Sequence, residues 1–72
     1  MKNNEMFREF VNENLQEDLT TNLIARRAGI HIRVVQGFCK KVRGNTRKVK
    51  YTKQPSGTIV YKFKKPLSRN DI

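Results

Sequence analysis

Arg33, Gln36 and Lys40 stand three and four residues apart, a spacing that puts side chains on one face of an α-helix. Their chemistry is hydrogen-bonded recognition, not bond-making. A guanidinium presents a fork of donors that fits the O6 and N7 acceptors of guanine, and a carboxamide fits the N6 and N7 atoms of adenine. Lys40 and Lys41 add ammonium groups suited to phosphate, and His31 sits just ahead of the set. Gly37 falls in the middle of the same face. It costs about 1 kcal/mol of helix stability relative to Ala; it is either a tolerated surface glycine or a place where the helix backbone comes close to a ligand.

Charge supports the same reading. The chain has 72 residues, with sixteen Lys and Arg against six Asp and Glu, a net charge of +10. From Met1 to Asp18 there are two basic and five acidic residues, a net of −3. From Leu19 to Asn70 there are fourteen basic residues and no acid. One end repels a phosphate backbone and the rest attracts it, which orients the molecule before contact.

Other chemistries are poorly provided for. A nuclease or polymerase centre needs clustered carboxylates for magnesium, and the basic two-thirds has none, so no enzyme is expected. One His and one Cys cannot complete a four-ligand zinc site; no metal, cofactor or small-molecule substrate is expected. His31 reads as a turn residue near a phosphate, and Cys39 as a half-buried apolar group on a helix edge. The single cysteine excludes an internal disulfide and suits a reducing cytosol. No apolar run is long enough for a signal peptide or a membrane span, so a cytoplasmic, nucleoid-associated location is expected.

These residues need elements to hold them. Met6, Phe7, Phe10 and Val11 fall on one stripe, predicting a helix over 4–14 with Asn3 or Asn4 as its cap. Thr20 or Thr21 caps a second helix over 22–28, which Gly29 ends with left-handed backbone. A third helix over 32–43 stops at Gly44. On it Val35, Phe38 and Val42 share one face, and Arg33, Gln36, Gly37, Lys40 and Gly44 the other. The period then changes to two: 47–51 and 59–64 alternate basic and apolar residues. Between them Pro55-Ser56-Gly57 signals a turn, so the segment reads as a β-hairpin. A single domain over 1–66 is expected, with Tyr61 and Phe63 in its core and 67–72 a flexible tail.

The window Thr21 to Lys40 resembles the helix-turn-helix family. Ala25 is the small fifth residue and Gly29 the ninth. Ile24, Ala28, Ile30, Val35 and Phe38 occupy the apolar places. His31 departs from the pattern, which has Ser or Thr as the cap after the turn. The match covers 20 of 72 residues. With a basic hairpin following, the order of elements is similar to that of winged helix-turn-helix domains, implying a mainly α fold with a C-terminal β-hairpin (α+β).

The resemblance implies a sequence-selective double-stranded DNA-binding protein, either a small transcriptional regulator or an architectural, excisionase-like factor. Its recognition helix would carry His31, Arg33, Gln36, Gly37, Lys40 and Lys41. Backbone and wing contacts would come from Thr21, Arg26, Arg27, Arg43, Arg47, Lys48, Lys50, Lys53, Lys62 and Lys64. The small size suits a phage or bacterial protein acting by occupancy. A monomer offers only ~600–1,000 Å² to DNA, so dimeric or cooperative binding is a natural route to affinity, although no heptad marks a dimer face. Two other readings fit the composition: an RNA- or ribosome-binding protein using Tyr51, Tyr61 or Phe63 as stacking platforms, and a protein-interaction module docking on an acidic partner.

Overall fold

The computed structural model describes residues 2–72. Among these residues three α-helices and a three-stranded antiparallel sheet enclose one core. The helices are α1 (Asn3–Glu13), α2 (Thr21–Ala28) and α3 (Ile32–Val42). The strands are β1 (Asp18–Leu19), β2 (Val49–Lys53) and β3 (Ile59–Phe63). Helix α1 buries Phe7 and Val11 and leaves Glu9 and Glu13 exposed, as its apolar stripe requires. Its start differs from expectation. Lys2 occupies the cap position and makes no side-chain cap bond, while the Asn4 side chain accepts from the amide of its neighbour Glu5 at 2.9 Å.

Gln16 turns the chain out of α1 with a φ of 68°, left-handed backbone that a non-glycine residue adopts at a cost. Two bonds hold it there. Its amide donates to the Phe63 carbonyl at 2.9 Å, and its side-chain Nε2 donates to the Lys64 carbonyl at 3.2 Å. This tether lays residues 18 and 19 along β3, with Asp18 opposite Lys62 and Leu19 opposite Tyr61. The hairpin therefore acquires a third strand, giving the order β1-β3-β2. Two residues are too few to show an alternation, so β1 leaves no signature in sequence.

Thr20 caps α2, its Oγ1 accepting from the Leu23 amide at 3.2 Å. Gly29 ends the helix with a φ of 72°, and its amide and that of Ile30 both donate to the Ala25 carbonyl. The tight reversal brings α3 across α2. His31 then takes the place usually held by Ser or Thr. Its Nδ1 accepts from the Arg33 amide at 3.1 Å and so caps α3. At the other end α3 stops at Val42, with Arg43 as a right-handed cap; Gly44 is outside the helix and does not terminate it through positive φ.

In β2 and β3 the register pairs Val49 with Phe63, Tyr51 with Tyr61 and Lys53 with Ile59. That face meets the helices. Val49, Tyr61 and Phe63 are buried, and the Phe7 ring meets Phe63 edge-on at 6.2 Å and Phe38 at 5.1 Å. Strand β2 begins two residues later than the basic-apolar alternation indicates, because Asn45 to Lys48 form turns. Cys39 is fully buried in the core, not half-exposed at a helix edge. Burial pushes its thiol up to about 12.

The C-terminal residues are also packed, contrary to the expectation of a flexible tail. Leu67 is buried. Its amide donates to Asn12 Oδ1 at 2.8 Å, and Asn12 Nδ2 donates back to its carbonyl at 3.1 Å. A short 3-10 turn at Arg69–Asp71 follows, closed by reciprocal bonds between Ser68 and Asp71. Leu67 supplies apolar burial and Asn12 satisfies its backbone, which together anchor the segment.

Candidate nucleic-acid interface

The exposed face of α3 is the one its sequence implies. Arg33, Gln36, Gly37, Lys40 and Lys41 are all exposed, while Val35, Cys39 and Val42 on the other side are buried. At 100° per residue the stripe has two margins. Gln36, Lys40 and Arg43 form one, and Arg33, Gly37 and Lys41 the other. The first margin looks into a groove of 390 Å³. The start of α2 (Thr20, Thr21, Asn22) forms a second wall, and the hairpin (Gly57, Thr58, Ile59, Tyr61) a third. Among the described residues no acidic side chain lines this groove. Of the five acids that precede Leu19, Glu5 and Glu9 line a separate surface depression with Arg8, Asn12 and Arg69.

Arg43 is the most constrained of the groove's cations. Its guanidinium lies over the Tyr51 ring, 5.7 Å from the centroid, a cation–π contact that limits where the fork can point. Among the described residues Tyr51 is itself the large apolar side chain left in the open, at 48% exposure. Beside it Tyr61 is buried, which raises its phenol pKa, and the neighbouring Arg43 charge works against that rise. The turn that carries Gly57 is set by backbone geometry. Gly57 has a φ of 93°, its amide donates to the Gln54 carbonyl, and the Gln54 amide donates to the Thr58 carbonyl. Glycine is needed there for the positive φ.

The expected site residues separate into groups. Thr21, Gln36, Lys40 and Arg43 come together in the groove. Arg33, Gly37 and Lys41 continue along the same exposed side of α3, and His31 stands at its start with Nδ1 already engaged. Arg26 and Arg27 are exposed on α2, Arg47 in the turn before β2, and Lys53 at the end of β2.

None of the five expected hairpin lysines lines the groove, Lys53 included. Lys48 is held by Asp71 at 2.6 Å, so its ammonium is already paired. Lys64 donates to the Thr46 carbonyl at 2.9 Å. Lys50 and Lys62 face away from the helices, because strand alternation places them opposite the buried Val49, Tyr61 and Phe63.

Thr20, Asn22, Thr58 and Ile59 line the groove and are not among the contact residues expected from sequence. Nothing in their types marks them; they arrive because the α2 start and the hairpin turn converge on α3. Comparison with family models, with curated proteins and with solved structures finds no match to this chain.

Proposed function

We propose that this chain is a sequence-selective double-stranded DNA-binding protein of winged helix-turn-helix architecture, with α3 as the reading helix and the β2–β3 hairpin as the wing. The observation that carries the reading is the acid-free groove between the exposed stripe of α3, the start of α2 and the hairpin. An α-helix with its side chains is about 10–12 Å across and B-DNA offers a major groove ≈ 12 Å wide, so α3 can enter with its polar stripe toward base edges. Arg33 and Gln36 then read bases. Thr21 and Asn22 at the start of α2 meet phosphate, where free backbone amides and the helix dipole favour an anion. Lys40 and Arg43 follow the backbone between α3 and the hairpin. The role is that of a small transcriptional regulator or an architectural, excisionase-like factor.

Selection of bound sequences from a random duplex pool tests this directly. A recovered motif whose information centres on a few adjacent base pairs supports the reading, and recovery of no motif opposes it. Across salt, neutralising ~5 phosphates gives a slope of log K against log salt of about −4 to −5. One observation favours a second reading: the exposed Tyr51 ring is a surface on which an unpaired base can stack. Arg43 already covers part of that ring, which ranks RNA recognition below duplex reading. A preference for RNA loops over any duplex in the same titration reverses that order.

A further inference from the structure

The hairpin has two faces, and only one belongs to the groove. Ile59 and Tyr61 line the groove, so residues of opposite parity point outward. Lys50 and Lys62 are more than neighbours on that outer face: they are direct register partners across β2 and β3. Directly opposed side chains have Cβ atoms about 4.5–5.5 Å apart, and like charges at that spacing oppose strand pairing. Asp18, next across on β1, reaches Lys62 at 3.7 Å, but its side chain is 72% exposed, a loose surface pair of small worth. Lys50 has no acidic partner among the described residues. Lys64 lies two residues beyond Lys62 along the same strand direction, exposed, with its ammonium on the Thr46 carbonyl.

The opposed lysines contribute nothing to the core; Lys50 on the edge strand β2 discourages pairing with another chain, and with Lys62 and Lys64 it leaves this face more cationic than the one carboxylate of Asp18 can balance. We propose that the outer face of the sheet is a second duplex-binding surface, so that one copy of the chain holds two DNA segments. The proposal rests on the DNA-binding reading of the groove. A phosphate backbone is the occupant that the charge fits. The face offers ammonium groups, which act as point charges, and among its described register-paired residues no guanidinium or carboxamide fork to read bases. Thr52 and Val60 complete it as a register pair. The groove lies on the helix side of the hairpin and this face on the other, so the sheet separates the two surfaces. Recognition at the outer face is sequence-independent. Neutralising ~3 phosphates there gives a salt slope of about −3 and an affinity in the non-specific range of ~10⁻⁴–10⁻⁶ M. The second segment is therefore captured after the first and released first as salt rises.

Analytical sedimentation of the full chain with a short duplex in excess at low salt tests this. The expected species contains one chain and two duplexes. The double variant Lys50→Gln/Lys62→Gln should bind the first duplex unchanged and the second about tenfold more weakly. Without DNA it should melt at or above the wild-type temperature, since it removes the like-charge pair; that melt shows that the variant is folded. A two-duplex species with two chains, the absence of a second duplex, or a second duplex held equally by the double variant overturns the proposal. Failure of the groove reading looks different: Arg33→Ala/Gln36→Ala leaves the first duplex untouched while Lys50→Gln/Lys62→Gln abolishes it. That pattern overturns both, because all DNA then lies on the sheet.

Discussion

Lys48 Nζ lies 2.6 Å from Asp71 Oδ2, joining the residue ahead of β2 to the 3-10 turn that follows Leu67. Asn45 adds a bond to the other carboxylate oxygen at 3.3 Å. One carboxylate thus collects the end of α3, the start of the hairpin and the C-terminal segment. It is also the acid that follows the acid-free run from Leu19 to Asn70.

The Lys48 bond, with help from Ser68, holds the Asp71 carboxyl at about 2, below its ordinary 3.8. A carboxylate whose folded pKa is depressed contributes stability above the unfolded value and loses it as pH falls toward the folded value. Asp71→Asn should therefore lower the melting temperature at neutral pH. The gap between variant and wild type should close between about pH 4 and pH 2. Thermal melts followed by circular dichroism across that range check this; a gap independent of pH contradicts it.

On the proposed duplex-binding reading, Arg33→Ala and Lys53→Ala should fail in different ways. Loss of a base-reading fork costs about 1–3 kcal/mol at one base-pair position and relaxes preference there. Loss of a backbone contact weakens all duplexes alike and reduces the salt slope by about 1. Binding of a small panel of single-position site variants separates the two. Identical behaviour contradicts the division between reading helix and wing.

Gly37 is exposed in α3, and a Cβ built on it meets nothing within 4 Å. Gly37→Ala should raise stability by about 1 kcal/mol, a shift of roughly 4–8 °C in a domain of this size. If α3 seats closely in a groove, the same methyl group should weaken duplex binding several-fold. Higher melting temperature with unchanged affinity would make Gly37 a tolerated surface glycine.

Cys39 is buried among core side chains, and burial holds its thiol at about 12. Thiolate is the reactive form, so a thiol reagent at neutral pH should modify the folded chain only through opening of the core. The modification rate should rise with denaturant in step with unfolding. Rapid labelling without denaturant would show that the α3 side of the core opens independently of the rest.

The sequence by itself determined the features that depend on neighbours within a turn or two. Helix α1 follows from its apolar stripe, the turn at Gly29 from the one residue that accepts a φ of 72° without strain, and the exposed stripe of α3 from the 3.6-residue period. Tyr61 and Phe63 are legible as core by alternation, and both are buried. Even the departure at His31 is local, since its imidazole supplies the cap acceptor that Ser or Thr supplies elsewhere.

Tertiary structure decided what depends on distant segments. Strand β1 exists because Gln16 is tied to Phe63 and Lys64, and the C-terminal segment is anchored because Asn12 satisfies Leu67 across 55 positions of sequence. The same holds for the lysines of the hairpin. Alternation says that some face outward but not which of them meets an acid, a carbonyl or open water. Asp71 removed Lys48 from the free cations, and the register set Lys50 against Lys62. Charge is written residue by residue, but a basic surface is a property of which side chains the fold leaves side by side.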